Sequence, residues 1–485
     1  MVLFSSGLQA LTLPAIFSDR MVLQRDQPVR IWGTGSPGTE VEVVFGKSTT
    51  SMPVDSAGNW IGLLPPFEGS SDPQILHVTN GQQTLTFTDV LVGEVWLASG
   101  QSNMEKPIGE KKGQRPLPNY QTEIAMADHP NLRLFQVPRY GKVVDENPSV
   151  LRWLPCSPET IANTQFSAVA YYFGRELLYD LDVPVGIVHA SFGGTMIEAW
   201  TPSFALENEP ALKEVLEEPY FAWVEGVQAT ELFDSMIAPL VPYSLRGFIW
   251  YQGEANAMNG EGNIYSVKMK ALIEGWRTVW ESPEAPFYYV QLAPFNYSDW
   301  LKFPSWLTPE GLPLFREAQT DALAIPHTGM VVTTDLAGDG RDIHPVDKAP
   351  VGRRLAHLAL RETFGHSSLV AGSPRLASIV FPGNGSAHIR FEGVGKGLAN
   401  SDANPLSGFA VAGEGRQFFP AAARIVDKDT VIVSSYRVQK PVAVRFGWHE
   451  SASPNLVNSA GLPAMPFRTD HWPVGNTRPK PPEAE

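Results

Sequence analysis

Between residues 13 and 90, apolar and polar positions alternate in short runs punctuated by glycine and proline. Residues 28–33 (PVRIWG), 40–46 (EVEVVFG) and 84–88 (TLTFT) carry the period-two pattern of half-buried strands. Strands of this kind bury one face each, and at this spacing they predict a small antiparallel sandwich. From residue 91 the rhythm changes. Mainly apolar runs at 94–98, 185–189, 248–251, 287–290 and 330–333 alternate with amphipathic stretches. That alternation predicts a parallel sheet with helices on both faces. Helices are expected over 169–178 and 265–273, and a closing helix over 345–363. In the last, Arg353, Arg354 and His357 form a polar face and Leu355, Leu358 and Leu360 serve the core. The acidic stretch 202–243 also reads as mostly helical, placed above the sheet. β alternation returns at 387–391, 430–433 and 443–446.

Length makes this pattern a multidomain chain, because 485 residues exceed what one core accommodates. The expected division is an N-terminal β-sandwich domain over 13–90, an α/β domain over 91–365 and a C-terminal β-rich domain over 366–475. Residues 476–485 are rich in proline and charge and read as a disordered tail. The formal net charge of -14 repels phosphate backbones and anionic lipid, so nucleic acid and membrane surfaces are not expected partners. No apolar run approaches the length of a membrane span. Cys156 is the only cysteine, which rules out an intrachain disulfide. Residues 1–17 are fairly apolar but lack a basic n-region. A secreted or periplasmic location is the expectation, and oligomeric state is not legible.

Three polar clusters follow expected parallel strands, which is where open α/β sheets place their sites. In Ala98-Ser99-Gly100-Gln101-Ser102-Asn103-Met104-Glu105 a strand runs through glycine into a serine at a helix start. Ser102 there is either a nucleophile or a helix N-cap. Gly193 and Gly194 follow the second strand and either bring a backbone N–H close to a substrate oxygen or mark a turn. The third cluster, Gln252-Gly253-Glu254-Ala255-Asn256, holds two amides and a carboxylate. Either amide could donate to an oxyanion and Glu254 could accept from a histidine. A loop that satisfies its own backbone is the competing reading. Late in the chain, Asp342-Ile343-His344-Pro345 pairs a histidine with an aspartate just before a helix, as a general base or as a surface pair. No second histidine stands at ligand spacing to support a metal site.

In this order on one sheet, these segments resemble the sialate O-acetylesterase family of SGNH-type carbohydrate esterases. The resemblance rests on FSDRMVLQ at 17–24, GEVW at 93–96, GQSNM at 100–104, GGTMIEAW at 193–200 and GFIWYQGE at 247–254. It continues in DIHP at 342–345, GLPA at 461–464 and PFRTD at 466–470. It implies an SGNH-type catalytic fold, Ser102 as nucleophile and His344 as base. It implies an oxyanion hole from the Ser102 N–H, Gly193 or Gly194, and Gln252 in place of the asparagine of other SGNH enzymes. SGNH enzymes usually carry the acid three residues before the histidine, whereas Asp342 stands two before His344. Asp342 is preferred as third member, with Glu254 as the alternative.

The implied reaction is hydrolysis of sugar O-acetyl esters through an acetyl-serine, with no metal or organic cofactor required. Sialic acid is the preferred acetyl donor, and a plant polysaccharide such as acetylated xylan or xyloglucan is the alternative. A non-catalytic carbohydrate-binding protein on the same scaffold is the reading from another class. Trp200, Tyr251, Asn256 and Trp223 are the candidate sugar contacts, with Trp250 assigned to the core. Arg341 is the candidate partner for a sialic acid carboxylate.

Overall fold

The computed structural model describes residues 9–139, 151–216, 224, 226–299, 307–338 and 340–474. Trp223 and residues 476–485 lie outside these. Among the described residues of the N-terminal region seven strands precede the first helix: β1 (Val22–Gln24), β2 (Val29–Thr34), β3 (Glu40–Phe45), β4 (Ser48–Pro53), β5 (Asn59–Leu64), β6 (Ser70–Thr79) and β7 (Thr84–Gly100). Strict alternation of buried and exposed positions in β5 reproduces the period-two pattern of its sequence.

β7 is the axis of the molecule. Its first half pairs antiparallel with β6, and β1 runs parallel beside Leu91 to Gly93. Its second half is the centre of a parallel sheet with β8 (His129–Gln136), β9 (Leu154–Cys156), β10 (Val185–Ser191), β11 (Gly247–Tyr251), β12 (Phe287–Val290) and β13 (Thr328–Val331). The order is β13-β12-β11-β7-β10-β8-β9, parallel throughout except for β9. The expected boundary at residue 90 therefore falls inside one continuous strand. Buried residues from both sides of it, Met21 and Leu23 among them, belong to the same hydrophobic core as Val95 and Leu97.

Helices cover the sheet where the amphipathic stretches predict them. Those used below are α1 (Ser102–Glu105), α2 (Ala168–Leu181), α3 (Glu254–Met258), α4 (Tyr265–Val279), α5 (Gly311–Asp321) and α6 (Ala349–Glu362). In α6 Leu355, Leu358 and Leu360 are buried, while Arg354 pairs with Asp335 and His357 with Glu176 of α2. The acidic stretch after residue 202 is broken into short helical turns. Leu206 and Leu212 pack on Ala271 of α4, so this part lies against a sheet-covering helix. Beyond α6 a second hydrophobic core gathers Ile389, Phe391, Val411, Val431, Val433, Val444 and Phe446 from short antiparallel strands.

Strand order reverses at β7: β10 lies on one side and β11 on the other. Ser191, Gly100 and Tyr251 stand abreast at the carboxyl ends of the three strands. The crevice beyond them is the switch point at which open α/β sheets bind ligands.

Candidate active site

Gly100 ends β7 with φ of 139°, and a Cβ there would stand 2.2 Å from the Tyr251 carbonyl oxygen. Only glycine allows so close an approach of β7 to β11, and the sharp exit that follows turns the chain directly into α1. Ser102 occupies the first turn of that helix, where the backbone N–H groups have no intrahelical acceptor. The Gln101 side chain points inward and is buried. Its Oε1 accepts from the Gly253 and Ala255 N–H groups, each at 3.3 Å, and clamps this turn to the loop after β11.

Ser102 opens onto a pocket of about 380 Å³. Gly193, Gly194, Glu254 and His344 line it together with Gln101, Glu105, Lys111, Gln114, Arg139, Phe192, Ala255, Met258 and Ile343. Gly193 lies hard against the serine: a Cβ on it would fall 3.2 Å from Ser102 Cβ and 2.9 Å from Glu105 Oε2. The sequence-derived nucleophile, base and glycine pair thus share one cavity with one of the two candidate acids.

His344 is mostly buried in the pocket wall. Burial, and then the charge of Lys348, push its ring down to about 4, so it is neutral and able to accept a proton at neutral pH. Asp342 Oδ1 lies 3.9 Å from His344 Nδ1 and accepts the His344 backbone N–H at 2.9 Å. Its other oxygen takes the Arg115 guanidinium at 3.0 Å. Burial opposes ionisation of Asp342, but these hydrogen bonds hold it below the usual carboxylate range. Glu254 is held differently. It is buried, its Oε1 accepts from Asn103 Nδ2, and its Oε2 has no partner among the described residues. Burial pushes its carboxyl up, against the hydrogen bond from Asn103.

Other sequence candidates lie away from the pocket. Gln252 is fully buried, and its amide donates to Gln101 Oε1 at 3.2 Å, the Thr195 carbonyl at 3.1 Å and Asn256 Oδ1 at 2.8 Å. Its own oxygen accepts from Tyr265 at 2.6 Å. Asn256 accepts the Ile197 N–H at 3.0 Å and donates to Glu198 and Glu261. Both amides therefore cross-brace the loops after β10 and β11 instead of facing a ligand. Trp200 and Tyr251 are fully buried and offer no ring face to a sugar. Trp200 donates to Thr195 Oγ1 and packs edge-on against Trp250, which is core as expected. Arg341 is exposed and does not line the pocket.

Two cations that the sequence reading did not single out do line it. Lys111 contacts Glu105 at 3.0 Å, and Arg139 pairs with the same carboxylate while lying 5.2 Å over the Phe192 ring. Burial lowers Lys111 to about 8, which leaves it mainly protonated at neutral pH. Behind the pocket wall, burial together with the nearby charges of Lys111 and Arg139 lowers His189 to about 3, and it bonds Ser191 at 2.6 Å. Nothing in the spacing of Lys111 or Arg139 marks them, because both arrive on loops from outside the strand-end clusters.

The family described as "Carbohydrate esterase, sialic acid-specific acetylesterase" matches residues 92–361. Human sialate O-acetylesterase is 32% identical over 394 residues, covering 73% of this chain and 71% of its own length. The mouse sialate O-acetylesterase is 31% identical over 422 residues, covering 73% and 74%. A carbohydrate acetylesterase from Xanthomonas citri superposes with a TM-score of 0.83 at 35% identity, over 96% of this chain and 100% of that one. With a switch-point serine and a histidine lining one pocket, this chain belongs to the sialic acid-specific acetylesterase family of carbohydrate esterases and is a carboxylic ester hydrolase acting on O-acetyl groups of sugars.

Proposed function

We propose that the protein releases acetate from O-acetylated sialic acid by a serine mechanism. His344 takes the Ser102 proton as Ser102 Oγ attacks the acetyl carbonyl. The Ser102 and Gly193 N–H groups receive the developing oxyanion, with Gly194 adjacent. The bond from the acetyl carbon to the sugar oxygen then breaks, and His344 returns its proton to that oxygen. Water, deprotonated by His344, attacks the acetyl-serine, and acetate leaves as Ser102 recovers its proton. Asp342, 3.9 Å from the His344 ring, orients the base; such contacts are often long in an unliganded site and tighten when substrate binds. The observation that carries the reading is the Ser102–Gly193 contact inside the pocket that His344 also lines.

Sialic acid differs from a neutral acetylated sugar by its carboxylate. Lys111 and Arg139 place two cations on the pocket wall, where either can meet a sugar carboxylate; both contact Glu105, and Glu254 is the second carboxylate of the lining. The test measures acetate release by wild type and Ser102→Ala from p-nitrophenyl acetate, O-acetylated sialic acid and acetylated hemicellulose. Activity that vanishes in the variant, with sialic acid the preferred donor, is the expected result. Equal activity of the two proteins would remove the serine mechanism, and a preference for hemicellulose would remove the sialate assignment.

A further inference from the structure

Asn103 follows the nucleophile and takes no part in the reaction above, yet its amide is spent on three neighbouring segments. Its Nδ2 donates to Glu254 at the start of α3, and to the Ile343 carbonyl, 3.0 Å away, in the peptide leading into His344. Its Oδ1 accepts from the Lys348 ammonium at 2.6 Å. Lys348 is fully buried just before α6, with its ammonium 5.2 Å over the Tyr251 ring. Burying an ammonium is costly, and an apolar side chain of similar length would escape that cost.

We propose that Lys348 is a positioning residue for the hydrolysis. Through Asn103 its ammonium locks the His344 loop to the nucleophile helix. The proposal rests on the Ser102–His344 reading above. Its physical basis is the asymmetry of an amide. An ammonium only donates, so Asn103 must turn its oxygen toward Lys348. Its two N–H groups then face Glu254 and the Ile343 carbonyl, which only accept. Without Lys348 the buried Asn103 oxygen loses its donor, and the amide is held by its two N–H bonds alone.

Charged groups reach this pair from several sides. Lys106 stands at the end of α1, Glu254 at the start of α3, and Asp342 and Asp347 in the histidine loop. Lys111, Lys106 and Asp342 also act on His344. Burial, followed by repulsion from Lys106, brings Lys348 down to about 7, with the three carboxylates opposing. While Lys348 is charged, a second positive charge on His344 is disfavoured. Removing it makes His344 easier to protonate, so the acid limb of kcat/KM moves to higher pH.

The experiment compares wild type with Lys348→Met, Lys348→Gln and Ser102→Ala on p-nitrophenyl acetate over the acid and neutral range, with thermal unfolding of each. Lys348→Met is expected to lower kcat roughly ten- to a hundredfold with little change in KM, the effect of a small misplacement of catalytic groups. Its acid limb should rise by roughly one pH unit. Lys348→Gln keeps a donor for Asn103 and loses the charge, so it should regain most of kcat and retain the raised limb. A lysine needed only for folding would lower the yield or Tm and leave kcat per folded molecule and the acid limb unchanged, which would overturn the proposal. If the methionine variant does not fold, the glutamine variant decides, and an unmoved limb overturns it. Loss of activity in Ser102→Ala with unmoved Lys348 profiles leaves the serine mechanism standing and removes only the role of Lys348. Activity retained in Ser102→Ala removes the mechanism itself, and the proposal falls with it.

Discussion

Gly193 and Ser102 approach each other so closely that the glycine has no room for a methyl group. A Cβ at Gly193 would meet Ser102 Cβ at 3.2 Å and Glu105 Oε2 at 2.9 Å, and only the carboxylate can swing away. Gly193→Ala therefore pushes on Ser102 itself. We expect kcat to fall about a hundredfold with Tm nearly unchanged, and a fully active variant would count against Gly193 as oxyanion donor. The two acids separate by isosteric amides. Asp342→Asn should cost far more than Glu254→Gln, since loss of a triad acid costs about 10⁴ in kcat. In Glu254→Gln the amide oxygen still accepts from Asn103, so the bracing survives. The reverse ranking would make Glu254 the triad acid. The pH profile supplies a third check. His344 is lowered from 6.5 to about 4, so kcat/KM should hold through mildly acidic pH and fall only near pH 4, as the base takes up its proton. A limb near 6.5 would mean that the ring is solvated in the working enzyme.

Between the elements, buried polar groups hold the loops of the pocket in register. Glu198, in the turn that follows the paired glycines, meets Lys268 of α4, which also pairs with Glu261. Burial alone would lower Lys268, but the two carboxylates outweigh it and raise its ammonium above the usual range. Burial raises Glu261 even so. Lys268→Met leaves two buried carboxylates without their cation and should destabilise the fold by about 3–5 kcal/mol. A drop in Tm at neutral pH that shrinks on acidification, as the carboxylates protonate, would confirm the cause; an unchanged Tm would refute it. The same braces explain how far the sequence could be read. Ser102, the Gly193–Gly194 pair and His344 are legible because each sits where an apolar strand ends or a helix begins. Gln252, Asn256, Trp200 and Tyr251 share those strand ends, but the sequence cannot say which side chains turn inward. Three-dimensional pairing decides that: Gln252 faces Gln101 and Tyr265, and Asn256 faces Glu198 and Glu261. Lys348 and Lys111 escape notice for the opposite reason, being lysines in polar stretches whose burial arises only from tertiary packing.

Across the whole molecule, β7 links regions that the change of hydrophobic rhythm at residue 90 divides in the sequence. The rhythm changes because one strand passes from a half-exposed antiparallel setting into the doubly covered centre of the parallel sheet. The N-terminal segment is meanwhile woven into the catalytic core. Trp153 donates to the Ile16 carbonyl at 2.8 Å, and Tyr243 to the Val22 carbonyl at 2.8 Å. Glu94, with no exposed surface, is satisfied by Gln24 at 3.0 Å, Arg25 at 2.6 Å and Arg246 at 2.8 Å. The C-terminal strands differ in having their own core, and they meet the rest through ion pairs such as Arg445–Glu310 and Arg468–Glu317 and through hydrogen bonds such as that from the Phe295 N–H to the Glu450 carbonyl at 3.0 Å. A fragment spanning 91–474 should therefore fail to fold. It would expose the apolar face that Phe17, Met21, Val22 and Leu23 cover, and it would leave the Glu94 carboxylate with Arg246 alone. Expression of that fragment should give aggregate or a species without a cooperative thermal transition, at a scale of loss well beyond the roughly 5–15 kcal/mol that stabilises a typical domain. A soluble fragment that melts cooperatively and still releases acetate would show instead that the N-terminal strands are an appended domain, and that the sheet can close without its first half.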